Sequence, residues 1–200
     1  MGNREDLLDG AKRCLAEKGY SRTTARDIAT AAGVSLAAIG YHYGSKDALL
    51  NEAMMASVAG WGDAVEAATA GAPTAPRERF VVVWDAIRAA MVEYRGIWAA
   101  QFEVIARMDD VPDVQASFAG VQRLARLEIA RMVGGTEGIG GPDAAGTEDD
   151  VVLGAFYQAL LAGVVTQWLV DPAQSLTGEQ MLRGLELAAG RVLGAGPDGG

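Results

Sequence analysis

Residues 23–50 restrict the fold of this chain more than any other part of the sequence. Thr24 has the side chain of a helix N-cap, and Asp27 stands three residues later, where it forms an imperfect capping box. Gly33 predicts the end of the helix in a tight turn, because glycine takes left-handed backbone angles without strain. Between these signals, Ile28 belongs to a single apolar face. The pattern therefore predicts one short helix followed by a turn.

A second short helix is predicted directly after this turn. Ser35 can cap it, and Gly44 ends it. Ile39 and Tyr43 are four residues apart, so they share its inner face. Ser45 then caps a further helix. Two short helices joined by a glycine-containing turn form a helix-turn-helix, whose second helix is suited to the major groove of DNA.

The same segment resembles the DNA-binding domain of the tetracycline-repressor (TetR) family. The resemblance rests on an ordered series of motifs, which in this chain are Thr24, Ile28-Ala29, Ala32-Gly33-Val34-Ser35, Tyr41-His42-Tyr43 and Gly44-Ser45-Lys46. It implies an all-α protein with a three-helix, helix-turn-helix DNA-binding domain at its N-terminus. We therefore expect that domain over residues 1–50, a larger helical ligand-binding and dimerisation domain over 51–195, and a flexible Gly- and Pro-rich tail over 196–200.

The resemblance also indicates which side chains would contact DNA. It places Tyr41, His42 and Lys46 at phosphates and groove edges, and Arg26 at a phosphate or a guanine. A plain surface role for Tyr41 and His42 is the alternative. Gly40 stands where the family often has an aromatic residue, so base contacts are fewer than usual or fall to other residues. The expected DNA-binding residues are Thr24, Arg26, Ser35, Leu36, Ala38, Tyr41, His42 and Lys46.

The charge distribution points weakly in the same direction. The whole chain carries a net charge of −9 at pH 7, which by itself argues against DNA binding. Residues 1–50 hold seven Lys or Arg and six Asp or Glu, which gives +1 and leaves −10 for the remainder. A domain so close to neutrality holds DNA poorly by charge alone. We therefore expect weak non-specific affinity.

Beyond residue 50 the apolar residues predict a series of longer helices. From Arg77 they recur at three- and four-residue steps, which indicates an amphipathic helix that Gly96 breaks. A second helix follows and ends at Asp109-Asp110, and Pro112 opens a third. Tryptophan and methionine among small residues predict an apolar ligand pocket, with a plain core as the alternative. The expected ligand-binding residues are Trp61, Trp84, Met91, Trp98, Phe102, Met108, Phe118, Gln122 and Tyr157, with Glu103 as a further polar candidate.

Residues 151–170 contain no charged side chain. This run is long enough to cross a bilayer, but its acidic flanks and its lack of Lys or Arg anchors favour burial against protein. By the family resemblance, residues 151–170 and 177–193 of two subunits form a four-helix dimer bundle. The expected interface residues are Phe156, Leu160, Leu161, Val164, Trp168, Leu182, Leu185 and Ala189.

The sequence holds few candidate catalytic, redox or metal-binding residues. Cys14, the only cysteine, excludes an internal disulfide and fits a reducing cytoplasm and a buried position. The charged N-terminus indicates no signal peptide. His42 is the only histidine and has no partner for metal ligation or general-base catalysis. Residues 134–146 are glycine-rich without dinucleotide-binding spacing, which predicts a flexible loop.

The sequence therefore predicts a cytoplasmic, homodimeric transcriptional regulator that is not an enzyme. We expect a repressor that a small apolar ligand releases from a palindromic DNA operator, with no cofactor, no metal and no membrane partner. The alternative from another class is a small helical enzyme or ligand-binding protein with a chance helix-turn-helix. No nucleophile–base pair, metal cluster or phosphate loop in the sequence supports that alternative.

Overall fold

The structure is a computed structural model that describes residues 2–106, 112–134 and 146–194; the side chains of residues 112–119 and 121 lie outside this description. Nine α-helices and one short 3-10 helix occur in these ranges, and no strand occurs in them. This confirms the predicted all-α class. Met108, the side chain of Phe118, the tail over 196–200 and nearly all of the predicted loop over 134–146 fall outside the described residues.

The N-terminal helices are α1 (Asn3–Lys18), α2 (Ala25–Ala32), α3 (Ala37–Tyr43) and α4 (Lys46–Thr69). The predicted capping box is complete: the Asp27 amide donates to Thr24 Oγ1 at 3.2 Å, and the Thr24 amide donates to Asp27 Oδ2 at 2.9 Å. Gly33 ends α2 with a left-handed backbone (φ 68°), as predicted. Ser45 caps α4 by accepting a hydrogen bond from the Ala48 amide at 3.0 Å.

The start of α3 differs from the prediction. No side chain caps this helix, and Leu36, directly before it, already has helical backbone angles (φ −58°, ψ −34°). Ser35 contributes its backbone carbonyl, which accepts from the Ala38 amide at 3.1 Å. The predicted Ser35 side-chain cap is therefore wrong, because Ser35 contributes its backbone carbonyl and not its hydroxyl to the first turn.

The remaining helices are α5 (Pro76–Glu93), α6 (Arg95–Ile105), α7 (Pro112–Gly134), α8 (Glu148–Val170) and α9 (Gly178–Leu193), with the 3-10 helix Pro172–Gln174 before α9. The break between α5 and α6 lies at Tyr94, so the prediction that Gly96 breaks the helix is wrong. Gly96 is instead a packing residue in the first turn of α6. A Cβ atom there would lie 2.0 Å from the carbonyl oxygen of Ala16 in α1. α6 also ends at Ile105, earlier than predicted.

The chain divides into two compact units. The first comprises Met1–Ala64 and Met91–Gly120. Its apolar core joins the helix-turn-helix to α4 and α6 through buried residues that include Leu7, Leu15, Ile28, Ile39, Leu49, Leu50, Ile97 and Val104. Cys14 belongs to the same core, as predicted, and burial raises the pKa of its thiol.

The second unit comprises Val65–Ala90 and Val121–Gly200. Within it, α5 and α8 contribute most of the buried apolar side chains, which are Phe80, Val83, Trp84, Ile87, Tyr157, Leu161, Val164, Val165 and Trp168. The first turn of α9 packs against α5, where the Gly178 amide donates to Asp85 Oδ1 at 3.0 Å. α8 is long and apolar enough to cross a membrane by length and composition, with a mean hydropathy of 1.4. A core helix of a soluble protein meets the same criterion, so this is weak evidence for a membrane span.

Candidate nucleic-acid interface

α3 presents one side to solvent and the other to the core of the first unit. Its outward residues begin with Leu36 and include Ala37, Gly40 and Tyr41; Tyr41 is 85% exposed. Ala38 is only 9% exposed and lies in the core beside Ile39. The prediction that Ala38 faces the groove is therefore wrong, because one helical step of about 100° separates it from Ala37. Ala37 and Gly40 are the outward residues that the sequence prediction missed.

Two aromatic contacts hold the C-terminal half of α3. The rings of Tyr41 and His42 meet edge to face, with their centroids 4.8 Å apart. His42 is half-buried, so Tyr41 is the more accessible of the two. Tyr43 turns inward, as predicted, and its hydroxyl donates to the Arg4 carbonyl at 2.7 Å. Burial raises the pKa of Tyr43. The hydrogen bond from Tyr43 anchors α3 to α1, and the outward side of α3 stays exposed.

The N-terminus of α2 is held by a second polar cluster. Lys18 Nζ lies 2.6 Å from Asp27 Oδ1, and the Thr24 hydroxyl donates to Asp27 Oδ2 at 2.6 Å. The Lys18 ammonium, and after it Thr24, holds the pKa of the Asp27 carboxyl well below its usual range. Thr24 is exposed, as a DNA contact requires, but its hydroxyl is already engaged in this cluster.

Most cations of this region are occupied by neighbours. Four of the seven basic residues in residues 1–50 form ion pairs, namely Arg4 with Glu52, Lys12 with Asp9, Lys18 with Asp27, and Lys46 with Asp47. Lys46 is half-buried, and its Nζ atom also donates to the Thr23 carbonyl at 3.4 Å. Arg26 is exposed on α2, and among the described residues its guanidinium has no hydrogen-bond or ion-pair partner. Arg26 is therefore the predicted contact best placed to meet a phosphate.

Two predicted ligand residues of the first unit are in contact. Trp61 of α4 and Trp98 of α6 meet edge to face, with ring centroids 5.0 Å apart. The indole Nε1 atoms of both residues and Oε1 of Gln101 are buried without a hydrogen-bond partner in the described part of the chain. Phe102 is half-buried, whereas Met91 is fully buried.

Glu103, the further polar candidate, serves another purpose. Its carboxylate accepts a hydrogen bond from the Ser21 amide at 2.9 Å, in the loop before α2. The same carboxylate lies against Gly19, where a Cβ atom would come within 2.7 Å of Glu103 Oε1. Glu103 thus connects α6 to the helix-turn-helix instead of lining a pocket.

Three further predicted ligand residues, Trp84, Gln122 and Tyr157, lie in the second unit. Trp84 and Tyr157 both contact Phe80, with ring centroids 5.8 and 6.3 Å apart. Burial raises the pKa of Tyr157. The side chain of Gln122 accepts from that of Gln158, which itself accepts from Arg126 Nε at 3.1 Å.

The predicted dimer residues divide into buried and exposed groups. Leu161, Val164 and Trp168 are buried within a single chain, so they have almost no surface for a partner to cover. Their assignment to the interface is therefore wrong, because α8 uses that side for the core of its own subunit. Leu160, Leu182 and Leu185 are half-buried, and Phe156 and Ala189 are exposed.

An outward row on α8 was only partly predicted. It consists of exposed residues at alternating steps of four and three, and we refer to it as the α8 stripe: Val152, Phe156, Ala159, Gly163, Thr166 and Val170. Such spacing keeps one narrow seam on one side of a helix. The same periodicity is visible in the sequence, but its exposure is not.

The fold and this site define an all-helical protein with an N-terminal helix-turn-helix. Residues 7–53 match the bacterial regulatory proteins of the tetR family. Over these residues the chain is similar to the tetR family of regulators.

Two relatives are similar in sequence, and a solved structure shares the fold. The HTH-type transcriptional repressor Rv1474c of Mycobacterium tuberculosis is 32% identical over 127 residues, which are 64% of this chain and 61% of that protein. The HTH-type transcriptional repressor AcnR of Corynebacterium efficiens is 43% identical over 49 residues, 24% of this chain and 26% of that protein. A TetR transcription regulator from Haloarcula marismortui shares the fold with a TM-score of 0.64 at 20% identity, over 94% of this chain and 95% of that one.

Proposed function

We propose that this protein is a sequence-specific DNA-binding transcriptional regulator that acts in the cytoplasm as a homodimer. One observation carries the proposal: within the residues that match the tetR family, α3 presents an exposed side, and Arg26 of the preceding helix is exposed with no partner among the described residues. In a helix-turn-helix, a second helix with such an exposed side inserts into the major groove while the preceding helix approaches the phosphate backbone.

The rigid attachment of α3 to the core supports this role. Ala38 and Ile39 fix α3 to the core, and the hydrogen bond from Tyr43 to the Arg4 carbonyl fixes its end. Because α3 is already fixed in the free protein, its side chains reach base edges without a further loss of conformational entropy on binding. The electrostatic contribution is small, because most cations of the region are already paired with carboxylates. Binding should therefore depend on fit to a chosen sequence more than on charge.

Repression is proposed from the names of the relatives. The M. tuberculosis and C. efficiens proteins are both named transcriptional repressors, although this chain spans about three-fifths of the first and a quarter of the second. A dimeric repressor reads two half-sites about one helical turn apart, ~34 Å, or a multiple of it. We therefore expect the operator to be palindromic.

The proposed dimer uses the exposed side of α8. The α8 stripe has larger residues toward its two ends and small residues at its centre. Two such helices can therefore approach each other closely at Ala159 and Gly163. An exposed apolar row of this length is unusual for a soluble monomer. The half-buried Leu182 and Leu185 and the exposed Ala189 of α9 extend the same proposed interface.

The proposed effector site includes the indoles of Trp61 and Trp98. Buried donors without partners are costly, and a bound molecule or water satisfies them. α6 carries Trp98 and also contacts the DNA-binding helices through Gly96 and Glu103. A ligand that displaces α6 would therefore shift the loop before α2. A coupling of about 1–3 kcal/mol, typical for allostery, would weaken operator binding roughly 5- to 150-fold.

A mobility-shift titration tests the DNA-binding part of the proposal. The probe is the duplex that adjoins the gene of this protein, with random duplex as competitor at physiological salt. Arg26→Ala should weaken binding and lower the slope of log affinity against log salt by about one. Arg123→Ala, which removes an exposed arginine from α7, is the matched control and should change neither quantity. Equal affinity for specific and random duplex would contradict the proposal.

A further inference from the structure

The outward side of the recognition helix has an unusual chemical composition, and we refer to it as the reading face: Ser35, Leu36, Ala37, Gly40 and Tyr41, all exposed. Leu36 is 53% exposed and Tyr41 85%. The reading face holds no amide, carboxylate, ammonium or guanidinium group. Its only hydrogen-bonding side chains are the hydroxyls of Ser35 and Tyr41.

This composition limits how bases can be distinguished. The amide and guanidinium side chains that make paired hydrogen bonds to adenine or guanine edges are absent from the reading face. A hydroxyl both donates and accepts, so it accommodates several bases and discriminates weakly. The one apolar group on the floor of the major groove is the C5-methyl of thymine. An exposed leucine beside an exposed alanine is complementary to that group alone.

The backbone geometry allows such a close contact. Gly40 lies one turn after Leu36 and Ala37, on the same side of α3. A Cβ atom at Gly40 would meet nothing within 4 Å, so the absent side chain leaves open space in front of the helix. Nothing at this position holds the helix away from the base edges. Leu36 and Ala37, at the start of α3, can then lie directly against the groove floor.

Neighbouring polar groups do not replace this contact. Lys46 is engaged with Asp47 and the Thr23 carbonyl, and His42 lies half-buried behind Tyr41. Arg26 remains available, but it projects from α2 and suits a phosphate or an isolated guanine. We propose that α3 selects its operator through thymine C5-methyl groups, which Leu36 and Ala37 contact in each half-site. This inference rests on the proposed DNA-binding function.

The test removes single methyl groups from a bound duplex. The full chain is first used to select an operator from a random duplex library. Each thymine of the half-site is then replaced by deoxyuridine, which differs only by the C5-methyl, and the dissociation constants are measured by fluorescence anisotropy. At one or more thymines the loss of the methyl should weaken binding about fourfold, the effect of exposing one buried apolar carbon.

The protein variants assign the effect to the reading face. Leu36→Ala should abolish the difference between thymine and deoxyuridine at its contact, while Arg26→Ala should weaken binding overall and keep the difference. Leu124→Ala, the same substitution at an exposed leucine of α7, is the matched control and should keep both affinity and difference. Thermal unfolding checks that each variant is folded.

The outcomes separate this inference from the function on which it rests. Selection of an operator that binds equally well with deoxyuridine at every position, or whose half-sites contain no thymine, would overturn methyl recognition and leave DNA binding intact. Persistence of the methyl effect in Leu36→Ala would overturn the assignment to Leu36. Failure to select any sequence would refute the proposed function, and the inference with it.

Discussion

The recognition helix α3 and the long helix α8 both expose large apolar side chains, but their surroundings differ. α3 exposes Leu36 and Tyr41 on one side of a seven-residue helix that capped neighbours and a local core hold in place. α8 exposes an apolar row along most of its 23 residues. A small exposed patch on a short helix is tolerated by a soluble protein, whereas a long row requires a covering partner. This difference matches the two proposed roles, in which the outward side of α3 contacts DNA and the α8 stripe contacts a second chain.

The largest effect should come from charge placed on the two sides of α8. Trp168→Glu buries a carboxylate in the core of the subunit and should destabilise folding by about 4 kcal/mol or more. Phe156→Glu, on the α8 stripe, should leave a folded monomer, because that side chain is 44% exposed before any partner is added. Circular dichroism measures folding, and analytical ultracentrifugation measures assembly.

A control on α8 keeps this comparison specific. Ala162→Glu adds the same charge at an exposed position beside the α8 stripe and should leave the dimer assembled. A Phe156→Glu variant that remains a dimer at micromolar concentration would contradict the interface. A wild-type chain that is monomeric under the same conditions would contradict the dimer itself.

The second prediction concerns the contact between α6 and the DNA-binding helices. Gly96→Ala places a methyl group 2.0 Å from the Ala16 carbonyl oxygen, so α6 must move away from α1. Overpacking of this kind costs typically about 1–3 kcal/mol, which urea denaturation measures directly. Operator affinity should fall as well, because α6 supports the loop before α2 through Glu103.

Gly62→Ala is the matched control for this substitution. Gly62 also lies inside a helix, but a Cβ atom there would meet nothing within 4 Å. Its replacement should be neutral or stabilise the protein by up to about 1 kcal/mol, since alanine favours helix more than glycine does. Equal destabilisation by the two substitutions would show that the close approach of α6 to α1 is not needed.

These contrasts show what the sequence could and could not predict. The capping box of Thr24 and Asp27 and the turn at Gly33 were predicted, because their causes lie within a few residues. The face that each residue presents was harder to predict. Ala38 and Trp168 were assigned to contact surfaces but are buried, since burial depends on which distant helix lies alongside. The sequence predicts a helix break at Gly96, because nothing in it shows that α1 passes so close.

The third prediction compares two hydroxyls of the recognition helix. Tyr43→Phe removes the hydrogen bond to the Arg4 carbonyl and should lower the free energy of unfolding by about 1 kcal/mol. Tyr41→Phe removes the hydroxyl of a side chain that is 85% exposed, and it should leave stability unchanged while it alters the ranking of operator sequences. The measurements are urea denaturation and anisotropy with a panel of duplexes. A loss of stability in Tyr41→Phe comparable to that in Tyr43→Phe would contradict the division of α3 into anchored and reading sides.

The smallest effect compares the carboxylates that cap α2 and α8. Asp27 and Asp150 both complete capping boxes, and hydrogen bonds lower the pKa of each carboxyl. A carboxyl whose folded pKa is depressed stabilises the protein above its unfolded pKa, about 3.9, and this contribution disappears as the pH falls toward the folded value. The ion pair with the Lys18 ammonium is the main cause of the lowered pKa of Asp27, whereas hydrogen bonds from Thr147 are the main cause for Asp150 and Arg131 adds less. Stability should therefore fall below about pH 4, and Asp27→Asn should flatten that dependence more than Asp150→Asn does.

Because both carboxylates are at the surface, added salt should reduce the difference between the two variants. Denaturation midpoints measured from pH 2 to 7 at two salt concentrations test this, and a larger flattening by Asp150→Asn would show that acid sensitivity resides at α8 instead of in the helix-turn-helix.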